Sequence, residues 1–149
     1  IAVQTHHATP AIVIDLGTAT TFDIVGSESG YEGGIIAPGL ALMTEYLAER
    51  TALLPKLDPS LAIPESLVGR SSREAMQIGC SLGFCSMTLG IAERIQAEVA
   101  GREGKDPVVI LTGGTAPELA LSLNVKWPVD LHLTLRGLLE AYRRDQRGH

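Results

Sequence analysis

The chain has 149 residues, of which 45% are hydrophobic, 19% are charged and 4% are aromatic, and its formal net charge is −5. This length favours one compact domain or one lobe of a larger protein, and the hydrophobic content excludes an intrinsically disordered chain. The negative charge argues against a broad nucleic-acid-binding surface, which needs clustered positive charge.

The first forty residues combine a short N-terminal segment with β-prone runs. Residues 1–7 fit the end of a helix, and His6 and His7 are expected at its surface because adjacent helical residues do not share a face. Apolar runs separated by polar or glycine-rich turns predict three strands, at 11–15, 21–25 and 31–37. These strands predict an antiparallel meander that ends at Pro38-Gly39.

Helical periodicity dominates the middle of the chain. It predicts an amphipathic helix over 40–50 and a long helix over about 73–99, which Ser71 or Ser72 caps. The intervening 51–68 contains three prolines and is predicted to be a loop, as a lid or a substrate-facing segment. Gly79 and Gly83 are unfavourable inside a helix, so a closely packed neighbour is expected there, in this chain or in a second subunit.

The last third is predicted to hold one buried strand, over 107–111, and one short helix, over 117–123. A last strand is predicted over 125–129 and a final helix over 133–144, whose apolar residues share one face: Leu135, Leu138, Leu139 and Tyr142. The order β-β-β-α-α-β-α-(β)-α therefore predicts an α/β fold.

The cysteines and the termini bear on location. Cys80 and Cys85 are about 140° apart on a helix, so they are poorly placed to bridge each other. Two unpaired cysteines favour a reducing compartment, and neither a signal peptide nor a transmembrane run is expected, which predicts a cytoplasmic protein. A chain that begins at Ile1 suggests a processed product, a fragment or a missing start.

The first candidate site is the turn Asp15-Leu16-Gly17-Thr18-Ala19-Thr20-Thr21, which follows an apolar strand directly. Small residues let a ligand approach the backbone, with uncovered N–H groups at Gly17 and threonine hydroxyls as donors to phosphate oxygens. An aspartate beside them can hold a hard cation or its waters. The alternative is a hairpin turn whose aspartate caps local N–H groups, and this stretch alone does not decide between the two.

The second candidate site is Thr112-Gly113-Gly114, which also follows a buried strand. A glycine pair at the end of a strand leaves room for a flat ring or a phosphate, although a tight strand-to-helix turn explains the same residues. Both turns on one β-β-β-α-β-α frame form a more specific pattern than either turn alone.

Together these residues resemble the second lobe of the actin-like ATPase superfamily, and within it the bacterial type III pantothenate kinases. The resemblance implies a ribonuclease H-like/actin-like ATPase lobe: a three-stranded antiparallel meander extended by parallel strands, with helices on both faces. It covers nearly all of 1–149 as a single lobe, the C-terminal half of such a kinase. The matching segments are 15–21, GGIIAPG at 33–39, LAERTALLP at 47–55, GRSS at 69–72 and TGG at 112–114.

The resemblance also implies roles for individual residues. Asp15 corresponds to the ligand of a monovalent cation, K⁺ or NH₄⁺, and Gly17 and Thr18 to the ATP-phosphate turn, with Mg²⁺ as a further cofactor. Gly113 and Gly114 correspond to the adenosine-facing turn. Ser72 stands where the family usually has a threonine that contacts pantothenate, and Arg70 is either a second substrate contact or an ion-pair partner at the start of the helix.

One departure from the family pattern limits what this chain can do. The family's first lobe carries an Asp-x-Gly-Asn-Thr loop and a Gly-x-Asp-Arg motif with the presumed general base, and neither is present here. No catalytic residue is therefore assigned, and residues 1–3 resemble the sequence that follows the Asp-Arg pair. Because phosphoryl transfer needs positioning from both walls of a cleft, the chain alone is expected to be inactive.

Three functions follow from these features. The first is the C-terminal lobe of a pantothenate kinase, whose N-terminal lobe is absent and which makes 4′-phosphopantothenate for coenzyme A in the complete molecule. The second is a non-catalytic homologue, an accessory factor that binds nucleotide or a regulatory partner. The third is a structural lobe whose long helix forms a homodimer, and this is compatible with the other two.

Overall fold

The structure is a computed structural model that describes residues 1–62 and 64–147, without the side chain of Arg147. Its helices and strands follow one another as α1 Ala2–His6, β1 Ala11–Leu16, β2 Ala19–Gly26, β3 Gly30–Pro38, α2 Leu40–Arg50, α3 Ser72–Glu103, β4 Val108–Thr112, α4 Ala116–Leu123 and α5 Leu133–Arg147. The two long predicted helices and the meander are therefore present, with ends shifted by a few residues.

The strands form one four-stranded sheet in the order β3-β2-β1-β4. β1, β2 and β3 pair antiparallel as a meander, and β4 joins β1 in parallel. The predicted fold class is thus confirmed: a three-stranded meander extended by a parallel strand. The last predicted strand was wrong in extent, since 125–129 contributes only a single parallel bridge between Leu111 and Val129.

Helices cover the two faces of the sheet unequally, because side chains alternate between faces along each strand. One face carries Ile12, Ile14 and Phe22 and packs into the larger core together with α3 and α4. The other face carries Val13 and Ile110, and a smaller core joins it to α1 and to the start of α5.

The long helix α3 is the central element of the larger core. Its start is capped by Ser71, whose hydroxyl accepts a hydrogen bond from the Glu74 N–H, and its end is closed by Gly104 in the left-handed conformation. Among the described residues, α3 is the one helix that is long and apolar enough to span a membrane, a run the sequence reading did not expect. Its side chains from Met76 to Val99 alternate between burial and exposure, which is the pattern of a core helix.

The expected neighbour of the α3 glycines is not supplied by the described part of this chain. A β-carbon on Gly79 or Gly83 would meet no atom within 4 Å, and both glycines are exposed. The loop after α2 is anchored instead by polar contacts to α3: the carbonyl of Ser60 accepts hydrogen bonds from Gln77 and from Ser81.

Candidate nucleotide site

The two predicted turns leave the sheet at the same edge. β1 and β4 are parallel neighbours, and Asp15 at the end of β1 lies in register with Thr112 at the end of β4. The turns that follow, through Gly17 and Gly113, therefore begin side by side. This is the position beyond the strand ends where open α/β sheets bind their ligands.

Gly113 makes the contact between these two turns. Its φ angle is +92°, and a β-carbon there would lie 2.6 Å from the N and O atoms of Leu16 and 2.7 Å from Oδ1 of Asp15. Only glycine fits such a conformation and such an approach without strain. The hydroxyl of Thr115 adds a longer hydrogen bond, 3.4 Å, to the carbonyl of Leu16. Asp15 and Gly113 thus form one corner, which is called the Asp15–Gly113 corner below.

The hairpin turn after β1 is held by backbone contacts. The Gly17 N–H donates to the carbonyl of Ala19 (3.1 Å), and the Gly39 N–H donates to the carbonyl of Thr18 (3.1 Å). The expectation that the Gly17 N–H is uncovered was therefore wrong, because that group already has a partner in the turn. Thr18 is exposed, so its hydroxyl is the group of this turn that a phosphate can reach.

The corner lies on the sparsely covered face of the sheet. Asp15 is half-buried and lies in register with Thr21 of the neighbouring strand β2. The Thr21 hydroxyl donates a hydrogen bond to the Asp23 carboxylate (3.2 Å). The core that α1 and α5 form on this face gathers around Ala11 and Val25, at the opposite end of the same strands. The Asp15 end of the face is left for a ligand or for a second protein surface.

The Asp15–Gly113 corner offers two oxygen atoms to a cation. Oδ1 of Asp15 and the carbonyl O of Leu16 both lie within 2.7 Å of the point that a β-carbon of Gly113 would occupy. No group of three or more His, Cys, Asp or Glu side chains within 1–62 and 64–147 could hold a metal ion. One carboxylate and a carbonyl suit a singly charged cation, or an Mg²⁺ that is bound mainly through phosphates.

A separate apolar groove lies between α2 and the start of α3. Its volume is about 1020 Å³, and Ser72 lines it together with apolar residues that include Ile36, Leu42, Tyr46, Leu47 and Met76. Ala19, which follows Thr18, lies at its edge, so the groove adjoins the hairpin turn. The structure thus brings Asp15 and Gly113 together, while Thr18 lies in the hairpin turn and Ser72 belongs to the neighbouring groove.

Arg70 precedes the first turn of α3. Its backbone N–H donates a hydrogen bond to Oε2 of Glu74 (2.7 Å), so the Glu74 carboxylate holds the backbone just before the helix begins. The described side chains include no carboxylate within ion-pair distance of the Arg70 guanidinium. The guanidinium is exposed and available to an anionic ligand, while the ion-pair alternative receives no support from this geometry.

A buried carboxylate that sequence analysis missed joins the two ends of the chain. Asp130 accepts hydrogen bonds from Arg136 (3.0 Å) and from the His132 N–H (3.1 Å), and lies 3.2 Å from Nε2 of His7. Burial alone would raise the pKa of Asp130, but the hydrogen bonds from His7 and His132 and the charge of Arg136 outweigh it and hold that pKa below its ordinary value. The surface position expected for His7 was therefore wrong, since it contacts Asp130 and is only 18% exposed.

The chain is similar in sequence to proteins of known family. The sequence profile of the family described as type III pantothenate kinase matches residues 1–94. The chain belongs to the type III pantothenate kinase family. It is 41% identical over 145 residues to the type III pantothenate kinase of Paramagnetospirillum magneticum, and 42% identical over 146 residues to that of Brevibacillus brevis.

These matches cover 97% and 98% of the chain but 54% and 55% of the two pantothenate kinases. The chain therefore spans about half the length of the curated relatives it matches. Among solved structures, a conserved protein of Campylobacter jejuni, described as a Baf family transcriptional activator, superposes with a TM-score of 0.63 at 22% identity. That match covers 98% of this chain and 62% of the other, and it shows the shared fold alone.

Proposed function

We propose that this chain is the C-terminal lobe of a type III pantothenate kinase, which transfers the γ-phosphoryl group of ATP to pantothenate when an N-terminal lobe completes the cleft. The observation that carries the proposal is the Asp15–Gly113 corner, where a β-carbon would lie 2.7 Å from the Asp15 carboxylate. The relation to the pantothenate kinases indicates the reaction. The corner is the place where this chain can contribute to that reaction.

Asp15, Gly17 and Thr18 form the phosphate side of the proposed nucleotide site. The exposed Thr18 hydroxyl donates to a phosphate oxygen, and Gly17 keeps that part of the turn free of a side chain. The Asp15 carboxylate helps hold K⁺ or NH₄⁺, and the bound ion offsets phosphate charge. Mg²⁺ binds mainly through the phosphates themselves.

Gly113 and Gly114 form the adenosine side. Gly113 brings the backbone of the turn against β1, and Gly114 is exposed beside it, with no atom within 4 Å of where its β-carbon would lie. A flat base can therefore lie against the backbone at Gly114 without meeting a side chain there.

Pantothenate is assigned to the groove that holds Ser72. The Ser72 hydroxyl is a hydrogen-bonding group on a largely apolar wall, and Arg70, one residue before the helix cap, offers a positive charge to the pantothenate carboxylate. The exposed Gly79 and Gly83 lie farther along the same helix, and we assign them to a homodimer contact, in a cytoplasmic enzyme.

A coupled assay on the complete gene product tests this proposal. We expect ADP release that requires both ATP and pantothenate, that is stimulated by K⁺ or NH₄⁺ over Na⁺, and that the purified 149-residue chain does not show. Asp15→Asn removes the charge but keeps the shape, and it should lower kcat/KM about tenfold or more and weaken the K⁺ dependence. Asp23→Asn is the matched control. Asp23 lies on the same face of the sheet as Asp15, but it is in register with Val13 and is therefore farther from the Asp15–Gly113 corner.

Two results would overturn the proposal. The first is a complete gene product that binds ATP but shows no turnover of pantothenate, which favours a nucleotide-binding accessory factor. The second is equal loss of activity in Asp15→Asn and Asp23→Asn, which would mean that the corner has no special part in the reaction. Turnover by the rigorously pure chain would refute only the need for a second lobe.

A further inference from the structure

One buried residue, Asp130, is hydrogen-bonded to three elements of the chain. It is 8% exposed, and its carboxylate accepts hydrogen bonds from the His132 N–H, from Arg136 on α5 and from His7 at the end of α1. A carboxylate that accepts three hydrogen bonds stays ionised at neutral pH and can only accept, so Nε2 of His7 carries the hydrogen of that contact. The contact between Asp130 and His7 is called the Asp130–His7 clasp below.

The third element is β4, which holds the Asp130 end of the clasp in place. The Asp130 N–H donates to the carbonyl of Leu111 (2.8 Å), and the Leu111 N–H donates to the carbonyl of Pro128 (2.8 Å). Leu111 is fully buried and lies two residues before Gly113, at the corner end of β4. The backbone of Asp130 is therefore fixed to the sheet close to the Asp15–Gly113 corner.

The other end of the clasp holds α1, which has little stability of its own. α1 has five residues and no side-chain cap at its start, and helices this short are marginal in water. Apolar contacts hold α1 against the small core, but such contacts are not directional. Its other polar contact to α5, from Arg144 to the Thr5 hydroxyl, is long (3.4 Å) and exposed. The Asp130–His7 clasp is therefore the part-buried polar contact that fixes where α1 lies on the sheet.

We infer that Asp130 is a positioning residue of the proposed kinase, which acts through His7 to fix α1 and, with α1, the polypeptide that leads to the N-terminal lobe. This inference rests on the function proposed above, in which that lobe completes the cleft and is joined to this chain through α1. A shift of α1 then moves the reacting groups of the N-terminal lobe relative to the Asp15–Gly113 corner. A misplacement of about 1 Å is enough to lower a rate about 100-fold.

Kinetics of the complete gene product separate this role from a contribution to stability alone. His7→Ala opens the clasp and leaves the Asp130 carboxylate bonded to Arg136 and to the His132 N–H, so the variant is expected to fold. His7→Gln is the conservative variant, because its amide can still donate to Asp130. Thr5→Val is the matched control, because it removes the other polar contact between α1 and α5 without touching Asp130.

We expect His7→Ala to lower kcat for pantothenate phosphorylation about tenfold and to leave the KM for ATP within about twofold, because the corner itself is unchanged. His7→Gln should recover most of kcat, Thr5→Val should keep it, and the Thr5 amide should exchange with solvent about fivefold faster in His7→Ala.

Three results would overturn the inference: an unchanged kcat in a His7→Ala protein that is merely less stable, an equal loss of kcat in Thr5→Val, or unchanged exchange at Thr5. If the wild-type complete protein phosphorylates no pantothenate, the proposed function fails instead. The exchange rate then decides by itself whether the clasp holds α1.

Discussion

Gly113→Ala tests the geometry of the corner directly. A left-handed backbone conformation costs an alanine about 1–2 kcal/mol, and overpacking costs about 1–3 kcal/mol because the atoms 2.6 Å away are the N and O of Leu16 in β1. The lower entropy of the unfolded alanine variant recovers about 0.4–1 kcal/mol. The net loss is about 1–4.5 kcal/mol, a large part of the roughly 5–15 kcal/mol by which domains are stable.

Urea unfolding of the chain measures this loss. With a slope of about 2 kcal/mol per molar urea, the midpoint of Gly113→Ala should fall by about 0.5–2.2 M. Gly114→Ala is the matched control, because its β-carbon would meet nothing within 4 Å and its φ angle is not positive. Midpoints for the two variants that agree within about 0.25 M, or about 0.5 kcal/mol, would refute the close approach of Gly113 to β1.

Two further substitutions test buried polar groups on either side of the sheet. Asp130 has a lowered pKa, so its ionised form stabilises the fold above the unfolded pKa of about 3.9, and that stability is lost as the pH falls through the folded pKa. Asp130→Asn should therefore cost about 1.5–3 kcal/mol at pH 7 and progressively less as the pH falls below about 3.9, and a difference in the free energy of unfolding that does not change with pH contradicts this. The hydroxyl of Thr20 is buried without a hydrogen-bond partner in the described part of the chain. Thr20→Val should raise the free energy of unfolding by about 1 kcal/mol and Thr20→Ser should lower it, and the reverse order in thermal melts contradicts the burial of an unpaired hydroxyl.

Local patterns were sufficient to predict most of the fold. The meander and the two long helices each have a period of two or of 3.6 that runs over many residues, and short turn signals separate them. The start of α3 followed from its capping serine, which is Ser71 of the two that were predicted. Residues 125–129 alternate Val125, Trp127 and Val129 with Lys126 and Pro128, which is a strand-like pattern, but Pro128 has no N–H to donate to a ladder, and the segment makes a single bridge instead of a strand.

The contacts at the site were less predictable, because they depend on residues distant in sequence. That Asp15 and Gly113 meet follows from the parallel pairing of β1 with β4, which no local pattern encodes. One partner of Asp130 is His7, 123 residues away, and neither position shows a periodic signal. A buried acid in the neighbourhood of two basic residues is recognised only when the ends of the chain are brought together.

The two sides of the sheet are suited to different contacts. The α2–α3 side has a groove, and Gly79 and Gly83 let another backbone approach α3 closely, which suits a symmetric contact between like helices. The face that carries Asp15 is packed by α1 and α5 around Ala11 and Val25, at the other end of the strands, which leaves the Asp15–Gly113 corner open. Because phosphoryl transfer needs groups on both walls of a cleft, the proposed reaction needs a second wall at this open corner. The proposed dimer contact on α3 and the proposed nucleotide corner thus lie on different sides of the sheet, so one can be altered without touching the other.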